Sequence, residues 1–448
     1  MKSGIRDVDI VIVGGGITGL AAALECKKHQ KSFVVLEARD RPGGRLYSVT
    51  TKEGIRIDLG GQWVGVNHYR IKRLIEEFGI KTYKIDQKGN SIYEWNGKIK
   101  KTKRLPPLSP VGLFDLIKVG MRIKTFVNQL PEGIPFSSPI ARKLDKETVE
   151  QFIQATMFSQ EGKAFYKLIV EEITCSNAHE VSLLDLVWCI KSTGTINYLL
   201  QAEQEWMSEG AQTLTIRMAD SLGDTVVYNT PVERISYQHE CTYVYSSNDF
   251  WRAKKVIVAI PPNLTTRIVF APPLPGIRQQ LSQRSGMPSV IKMIMIYHSP
   301  FWKSQGLNGK LFSSSGPVTL TLDSSPPDSS KGVLSVFLTG KHARELENMD
   351  RDERVNKVLQ VLGKYFGKEA YEPEEVYEKN WAEDEWTQGG YATHYAPGVL
   401  THFGSSLFKP ISSIHWAGTE EAIEWRTYME GAVQSGQDVA KLVISQLI

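Results

Sequence analysis

The chain has 448 residues, of which 41% are hydrophobic and 23% are charged. This length allows two or three domains, and the composition is that of an ordinary globular protein, which excludes a small binding module, a disordered chain and a fibrous one. The formal net charge of +4 is mild, and the densest basic stretch is "GKIKKTKR" at residues 97–104. We interpret this stretch as a solvated loop rather than a phosphate or membrane-surface site.

The cysteines and the chain ends predict the environment of the protein. The four cysteines lie far apart without a CxxC pair, which argues against a zinc site or a disulfide framework. Neither a leader peptide nor an apolar run of membrane-spanning length is visible. Residues 431–448 have apolar positions at helical spacing, which predicts an amphipathic helix that docks on the domain. We therefore expect a cytoplasmic protein with reduced thiols, no metal, and neither membrane nor nucleic acid as a partner.

The first predicted elements are a strand, a glycine-rich turn and a helix. Residues 9–13 ("DIVIV") form an apolar run, typical of a parallel strand covered on both faces. Gly14, Gly16 and Gly19 then fit the spacing GxGxxG, which lets the chain turn tightly, approach a pyrophosphate and pack the helix on the strand. We expect phosphates at the helix N-terminus, where free N–H groups attract anions.

A second apolar strand, residues 33–36, ends beside an acidic residue. Glu37 follows the glycines by about 20 residues, where a carboxylate accepts hydrogen bonds from ribose hydroxyls. The next stretch, "ARDRPGGRLYS", is a second glycine turn with arginines. Arg45 is the predicted pyrophosphate partner, because a guanidinium forms paired hydrogen bonds with phosphate; a basic surface loop is the alternative. The glycine turn and Glu37 predict an adenine dinucleotide and leave NAD and FAD open.

Further motifs extend along nearly the whole chain: "RPGGR", "DLGGQWVG", "NTPVERI", "VIVAIPPNLTTRIVFAPPLP", "SVIKMIMIY", "NWAEDEWTQGGY", "HWAGTEE" and "YMEGAVQSG". In this order they resemble the flavin-dependent amine oxidase family, and within it the monoamine oxidases. The resemblance implies FAD and an α/β fold, in which a Rossmann-type FAD-binding domain is joined to a discontinuous α+β substrate domain, as in amine oxidases and p-hydroxybenzoate hydroxylase. We expect residues 1–83, 210–280 and 386–448 in the FAD-binding domain, and 84–209 and 281–385 in the substrate-binding domain.

The resemblance also implies cofactor contacts, position by position. Its ADP-binding half matches Gly14, Gly16, Gly19, Glu37, Arg39, Gly44 and Arg45, and Val232 matches the residue whose backbone holds the adenine. Around the isoalloxazine ring and the ribityl chain, the matching positions are Gly61, Gln62, Trp381, Gly418, Thr419, Glu420 and Met429. Mitochondrial relatives link the flavin to a cysteine just before the first tyrosine of the substrate cage. Because Gly390 stands there in this chain, we expect non-covalent FAD.

One lysine interrupts an apolar strand. Lys292 lies in "SVIKMIMIY" and points to the same side as Val290 and Ile294, where an unpaired charge is costly. An edge-strand lysine that extends into solvent is the alternative interpretation. The resemblance implies a catalytic role, in which the matching lysine holds a water against flavin N5, the atom that accepts hydride.

Tyr391 and Tyr428 are the other candidate catalytic residues. In the family, the matching pair forms parallel aromatic walls that guide the amine to the flavin; without the resemblance they would be ordinary core aromatics. Arg426 and Thr427 depart from the family pattern, which usually has small residues before the second tyrosine. We expect Thr427 to narrow the approach to the flavin, and Arg426 is a candidate partner for a substrate carboxylate.

The resemblance implies an FAD-dependent oxidase that converts primary amines, aromatic or aliphatic monoamines, to aldehyde, ammonia and hydrogen peroxide, with oxygen as the acceptor. An L-amino-acid oxidase is the nearest alternative and requires an arginine inside the cavity. A polyamine oxidase is less favoured, since no acidic cluster stands out near the cage motifs. A non-catalytic flavoprotein is disfavoured by the presence of Lys292 and both tyrosines. The exact substrate, the natural acceptor and the oligomeric state, including a homodimer, stay open.

Overall fold

The computed structural model describes residues 6–86, 88–95, 97–103, 106–199, 202–237, 241–247 and 249–447. Its strands in chain order are β1 (Arg6–Val13), β2 (Phe33–Leu36), β3 (Ser48–Thr50), β4 (Arg56–Asp58), β5 (Trp63–Val64), β6 (Thr82–Lys84), β7 (Asn90–Trp95), β8 (Lys98–Thr102), β9 (Glu205–Met207), β10 (Val226–Val227), β11 (Arg234–Ser236), β12 (Thr242–Tyr245), β13 (Phe250–Val258), β14 (Val269–Ala271), β15 (Val290–Tyr297), β16 (Leu307–Ser313), β17 (Leu320–Asp323), β18 (Gly332–Thr339), β19 (Glu375–Asn380) and β20 (Ile414–Trp416).

The helices are α1 (Ile17–Lys28), α2 (Tyr69–Glu77), α3 (Pro110–Gln129), α4 (Pro139–Leu144), α5 (Val149–Thr156), α6 (Gln160–Thr174), α7 (Leu183–Ser192), α8 (Ile196–Leu199), α9 (Gln212–Leu222), α10 (Gly276–Arg284), α11 (Gly340–Glu347), α12 (Arg351–Phe366), α13 (Val399–Phe403) and α14 (Met429–Ser445). Within the described ranges, none of these helices combines the length and the apolar character needed to cross a membrane.

The first large sheet has eight strands in the order β10-β2-β1-β13-β12-β11-β14, with β20 also paired to β13. At its centre β1 runs parallel to β2 and β13, so that Val13 lies beside Leu36 and Val258. Parallel strands end at a common edge, and ligands of open α/β sheets bind outside that edge. Gly14 and Glu37 both follow directly at this edge, as the sequence predicts.

The C-terminal helix packs on the first helix of the chain. Residues of α14 such as Val433, Ala440 and Val443 share a core with Leu20 and Ala23 of α1. Gly436 allows a very close approach, because a Cβ atom there would lie 2.2 Å from the carbonyl oxygen of Thr18. The amphipathic helix predicted for the C-terminal residues is thus confirmed.

The second large sheet has seven strands in the order β19-β15-β18-β17-β16-β7-β8. All eight residues of β15 are buried. Its odd-numbered residues, including Met293 and Met295, pack against the helices α11 and α12, whereas Ile294 packs against Ile57 of β4 on the other face. Lys292 lies on this other face, and the edge-strand interpretation is wrong, because β15 pairs with β18 on one side and β19 on the other.

One local prediction is also corrected. Residues 98–102 of the basic stretch form the strand β8, not a loop, because their backbone pairs with β7 in an antiparallel ladder. Their side chains are nevertheless mostly exposed, which agrees with the solvated character that we expected. Arg104, the last residue of this stretch, lies outside the described residues.

The predicted division into two domains stays a proposal. All strands of the eight-stranded sheet fall within the three segments assigned to the FAD-binding domain, and all strands of the seven-stranded sheet fall within the two segments assigned to the substrate-binding domain. Helices α3 to α7 and α13 share a separate apolar core, to which Trp188 and Phe152 belong. This helical core lies beside Tyr428, which is packed against it.

Candidate functional site

The glycine turn after β1 is closed by Glu37. One carboxylate oxygen of Glu37 accepts a hydrogen bond from the Gly15 amide at 2.6 Å, and the other accepts one from the Arg39 amide at 2.9 Å. Glu37 is only 3% exposed. Burial raises its pKa above the ordinary value, although the amides and Arg39 oppose this shift. These amides fix the carboxylate beside the N-terminus of α1, where a ribose is expected.

The first turn of α1 fits a pyrophosphate. A Cβ atom at Gly19 would lie 2.0 Å from the Gly14 carbonyl oxygen, so the helix passes directly against the turn. A Cβ atom at Gly16 would meet no protein atom within 4 Å, so this side of the turn is open. Gly16 caps α1 without any side-chain hydrogen bond, and no acidic residue stands in the first turn. The helix therefore presents free N–H groups to an anion.

The second glycine turn lies against the first. The Gly43 amide donates to the Gly15 carbonyl at 2.9 Å, and Gly44 adopts φ +56°, with its outer side facing Gly16. The two turns thus form the two sides of one groove. Val232 belongs to the loop after β10, in which the Thr230 amide donates to the Glu37 carbonyl oxygen at 2.8 Å. The predicted adenine contact therefore lies near the predicted ribose contact.

Arg45 joins this groove to the C-terminal segment. Its guanidinium donates to both carboxylate oxygens of Glu420, at 2.7 and 3.2 Å, and to the Tyr391 carbonyl oxygen at 2.8 Å. Glu420 is fully buried; burial favours its neutral form, but the charge and hydrogen bonds of Arg45 hold its pKa below the ordinary value. The guanidinium of Arg39 likewise forms an ion pair, with the carboxylate of Asp384. Both predicted arginines thus line the site, and pairing with carboxylates fixes their side chains.

Lys292 lies at the centre of the candidate site. Its Nζ donates to the Gly60 carbonyl oxygen at 3.1 Å and to Gln62 Oε1 at 3.0 Å. It also lies 5.3 Å from the ring centres of both Trp63 and Phe337. Burial lowers the pKa of Lys292 to about 8, although the nearby carboxylates of Asp58 and Glu203 favour its charged form. The lysine therefore changes its charge close to neutral pH.

Three aromatic residues, which we call the aromatic row, extend from this lysine. The rings of Trp63 and Phe337 are 5.8 Å apart, and the rings of Phe337 and Tyr391 are 6.2 Å apart and nearly perpendicular. Tyr391 keeps 37% of its surface accessible, while its hydroxyl lies against the buried thiol of Cys175. Phe337 is only 1% exposed, so Tyr391 is the accessible end of the aromatic row, and we call the space beside its ring the chamber.

Tyr428 belongs to a second aromatic cluster. Its ring lies 5.4 Å from that of Trp425 and 5.7 Å from that of His68, both edge-on. His68 accepts a hydrogen bond from the Gly65 amide through Nδ1, and burial lowers its pKa to about 3, so this ring is neutral. Thr427 adopts φ +76°, a left-handed conformation that glycine adopts more easily. The departure at position 427 thus places a β-branched residue where the backbone favours glycine.

Arg426 does not face the chamber. Its side chain is fully buried, with Nη1 3.0 Å from Asp185 Oδ1 and Nη2 donating to the Thr393 carbonyl oxygen. His394 Nδ1 lies 2.6 Å from the other oxygen of Asp185. Burial would raise the pKa of Asp185, but Arg426 and His394 hold it below the ordinary value. The idea that Arg426 binds a substrate carboxylate is therefore wrong, because its side chain has no accessible surface and lies against Asp185.

The remaining predicted residues surround Lys292 and the C-terminal segment. Trp381 is buried and donates from Nε1 to the Leu59 carbonyl oxygen at 2.9 Å. Thr419 donates to the Tyr428 carbonyl oxygen, and the Gly418 amide donates to Ser435. Met429 is the first residue of α14 and is partly buried, and Gly61 is exposed. These positions meet at the same groove, and their roles as cofactor contacts remain predictions.

Motif analysis missed some residues in the surroundings of Tyr391. Phe337 lies on β18 and Cys175 directly follows α6, and the charges of Glu172 and Glu203 contribute to the raised pKa of Tyr391. None of the four lies in a quoted motif. Among these four residues, only Glu172 gives a sequence signal, because it is an acidic residue within an amphipathic helix. The residues around it come from other parts of the chain and could not be identified from the sequence.

The chain was compared with known families and structures. The family described as flavin containing amine oxidoreductase matches residues 17–444. Flavin-containing amine oxidase B of Sus scrofa is 35% identical over 446 residues, which cover 97% of this chain and 86% of that protein. The human protein of the same name is 34% identical with the same coverage.

Solved structures of amine oxidases agree with this family assignment. Putrescine oxidase bound to putrescine has a TM-score of 0.95 and 30% identity, and the match covers 99% of this chain and 100% of that chain. Cyclohexylamine oxidase from Brevibacterium oxydans has a TM-score of 0.93 and 31% identity, with the same coverage. The predicted fold class is therefore confirmed over nearly the full chain.

Proposed function

Because the chain belongs to the flavin-containing amine oxidoreductase family, we propose that it oxidises primary amines, aromatic or aliphatic monoamines, with oxygen as the acceptor. It is a flavin-containing amine oxidase that uses FAD. Amine, oxygen and water give aldehyde, ammonia and hydrogen peroxide. FAD, when bound, accepts a hydride from the carbon next to nitrogen and passes two electrons to oxygen.

The groove at the carboxyl edge of the first sheet supports the position of the cofactor. The open side of Gly16 and the uncapped N-terminus of α1 suit a pyrophosphate, and Glu37 suits the adenosine ribose. Residues 60–62 and the segment around Gly418 then lie farther along the groove, towards Lys292. We propose that the flavin ring lies there, between Lys292 and the two cage tyrosines.

The buried position of Lys292 is the observation that carries the proposal. Its ammonium has three N–H donors, and Gly60 and Gln62 accept two of them. The third remains for a water between the lysine and the reacting atoms. The low pKa lets the group hold or move a proton near neutral pH, as an oxidase requires when peroxide forms.

Tyr391 and Tyr428 then shape the approach of the substrate. An alkylamine is mostly protonated at neutral pH, with a pKa of about 10, and only the neutral form has a lone pair that assists loss of hydride. The aromatic row and the cluster around Tyr428 exclude water from the reacting carbon, which favours the neutral amine. Oxidation of amino acids is not favoured, because Arg426 is buried against Asp185.

Anaerobic mixing tests this proposal. The purified holoenzyme is mixed with benzylamine, phenethylamine, n-alkylamines and L-amino acids, and the flavin absorbance is followed; peroxide is then measured in air. We expect the amines to bleach the flavin and to yield stoichiometric peroxide without nicotinamide. Bleaching by amino acids alone would overturn the monoamine proposal, and no bleaching by either class would overturn the oxidase proposal.

A further inference from the structure

The segment 384–391, which ends at Tyr391, is held at both ends by the second glycine turn. At its start, the carboxylate of Asp384 pairs with the guanidinium of Arg39. At its end, the Tyr391 carbonyl oxygen accepts a hydrogen bond from Arg45 at 2.8 Å. Both arginines belong to the same short stretch beside the first glycine turn. One stretch of the cofactor groove therefore contacts both ends of the segment that brings Tyr391 to the chamber.

Asp384 is the residue at which the contacts of this segment meet. It is 9% exposed, and besides the pair with Arg39 its carboxylate accepts three hydrogen bonds. Lys379 Nζ donates at 2.7 Å, Thr387 Oγ1 at 2.9 Å and the Trp386 amide at 3.1 Å. Burial would raise the pKa of Asp384, but Lys379 and Arg39 lower it to about 2, so the carboxylate is charged at neutral pH. The reaction proposed above does not use this charge.

The shape of the segment depends on these contacts. Residues 384–391 form turns rather than a helix or a strand, and the backbone turns through Gln388 at φ +56° and Gly389 at φ +135°. The Asp384 carbonyl oxygen accepts a hydrogen bond from the Gln388 amide at 2.8 Å. Asp384 thus closes the turn with its backbone as well as with its side chain. A change at this residue alters the path of the chain towards Tyr391.

On its other side, Arg39 connects Asp384 to the predicted ribose site. The Arg39 amide donates to Glu37 Oε1 at 2.9 Å, and its Nη1 lies 3.8 Å from the same oxygen. The other oxygen of Glu37 accepts a hydrogen bond from the Gly15 amide in the first glycine turn. A continuous series of contacts therefore runs from the first turn through Glu37 and Arg39 to Asp384. A nucleotide that orders Glu37 and Arg39 also orders the start of the segment.

We propose that Asp384 is a positioning residue, which couples the adenosine half of the cofactor site to the placement of Tyr391 through Arg39. This inference rests on the proposed function, since it concerns the cofactor and the substrate chamber of the same oxidase. Bound cofactor fixes the segment 384–391, and with it Tyr391, before the amine enters. Such coupling is reciprocal, so that loosening the segment also weakens cofactor binding.

The first test compares the two half-reactions of the holoenzyme in wild type, Asp384→Asn and Asp384→Glu. Stopped flow measures flavin reduction by the amine that reduces the wild type fastest, and reoxidation by oxygen. We expect Asp384→Asn to slow reduction roughly 10-fold or more, because Tyr391 loses its fixed position, and to keep the reoxidation rate, which depends on Lys292. Asp384→Glu should recover part of the loss. Equal losses in both half-reactions, or reduction at the wild-type rate, would overturn the inference.

The matched control for this test is Glu378→Gln. Only 7% of the Glu378 side chain is exposed, and its carboxylate pairs with Arg354 at 2.7 Å. This ion pair joins β19 to α12 and does not contact the segment 384–391. Loss of a similarly buried pair should lower the thermal stability of the control and leave both half-reactions at their wild-type rates. A control that slows reduction as much as Asp384→Asn would show a merely structural effect.

A double-mutant cycle tests the path through Arg39. Arg39→Met and Asp384→Asn break the same contact, so their effects on flavin reduction, measured at saturating FAD, should not add. We expect the double variant to be no slower than the slower single variant. Losses that multiply would show that Asp384 acts without Arg39 and would overturn this path.

Another test does not depend on turnover. The full chain freed of FAD is incubated with ADP, and amide hydrogen exchange is followed by mass spectrometry. We expect ADP to slow exchange in residues 384–391 roughly 5-fold or more in wild type, and to protect only residues 14–45 in Asp384→Asn. No change at residues 384–391 in wild type would overturn the coupling. If the apoprotein does not stay folded, the holoenzymes decide, since exchange there should be faster in Asp384→Asn than in wild type and Glu378→Gln.

This inference and the proposed function fail in different ways. If amines reduce the flavin but neither the reduction rate nor the exchange of residues 384–391 responds to Asp384, the coupling is wrong and the oxidase stands. If no amine reduces the flavin, the oxidase proposal is wrong, while the exchange experiment with ADP still reports whether the segment follows the nucleotide.

Discussion

Lys292 Nζ lies 3.0 Å from Gln62 Oε1, although 230 positions of sequence separate the two residues. Gln62 also donates to Ser324 Oγ at 3.2 Å. Lys292 lies on β15, an interior strand of the seven-stranded sheet, whereas Gln62 follows β4 in the segment assigned to the FAD-binding domain. This contact holds the lysine at the boundary between the two proposed domains, where the flavin and the substrate would meet.

Replacement of Lys292 by methionine should slow turnover without loss of the cofactor. Methionine keeps much of the volume but removes the N–H donors for Gln62 and for the proposed water. Loss of a positioned proton-transfer group costs about 100- to 10,000-fold, and less where water mediates. The rates of flavin reduction and reoxidation are measured by stopped flow, with FAD content from absorbance. Lys331→Met, which removes a lysine paired with Glu374 at the surface, is the control; unchanged rates for Lys292→Met would exclude the role.

The same lysine predicts how stability depends on pH. Burial lowers its pKa from 10.5 to about 8, so between these values the unfolded chain binds a proton that the folded chain does not. The free energy of unfolding contributed by this site therefore rises with pH, by about 1.4 kcal/mol per unit across that window. Urea unfolding of wild type and Lys292→Met at pH 7 and pH 9.5 measures this. The prediction would be contradicted if the free energies of unfolding of wild type and variant differed by the same amount at both pH values.

Replacement by alanine should have different effects at two glycines of the first turn, on stability at Gly19 and on FAD affinity at Gly16. A Cβ atom at Gly19 would lie 2.0 Å from a backbone oxygen, whereas one at Gly16 would meet no protein atom within 4 Å. We expect Gly19→Ala to lower the free energy of unfolding by about 1–3 kcal/mol or more. Gly16→Ala should fold as apoprotein but lose FAD affinity. Thermal unfolding of the apoproteins and FAD titration measure both effects, and full FAD affinity in Gly16→Ala would refute this position for the pyrophosphate.

The cofactor should be released when the protein unfolds. Gly390 offers no nucleophile, and a thiol close to it in the fold is that of Cys175, which packs in one cluster with Val290 and Trp381 beside Gly390. Burial raises the pKa of Cys175, which keeps the thiol protonated and unreactive. Acid precipitation should leave the yellow colour in the supernatant, and the polypeptide mass should be unmodified. If the mass is raised by one FAD, Cys175→Ser shows whether this thiol is the link.

The buried pair of Arg426 and Asp185 should be structural. Removing one partner of a buried ion pair leaves an uncompensated charge and costs about 3–5 kcal/mol. Arg426→Met should therefore lower the free energy of unfolding by this amount, and Arg426→Met/Asp185→Asn should recover part of the loss. Denaturant unfolding measures both variants. A stable Arg426→Met that loses activity on amino acids alone would instead restore the role of this arginine in substrate binding.

The local motifs could be interpreted from the sequence because their chemistry depends on close neighbours. Gly14, Gly16 and Gly19 act within one turn, and Glu37 reaches that turn because parallel strands end at a common edge. Lys292 was conspicuous because it is the one charged residue in an apolar strand. The resemblance in the motifs then indicated FAD and amine oxidation, which the comparisons confirm.

The lining of the chamber, by contrast, depends on contacts between distant parts of the chain. Cys175 directly follows α6 and Phe337 lies on β18, and only tertiary packing brings both of them to Tyr391. The interpretation of Arg426 failed for the same reason, since its partner Asp185 lies on α7 and no local pattern reveals it. Periodicity reports which face of an element is buried but not which distant side chain it meets, so the neighbours of Tyr391 and Arg426 were decided by the tertiary structure alone.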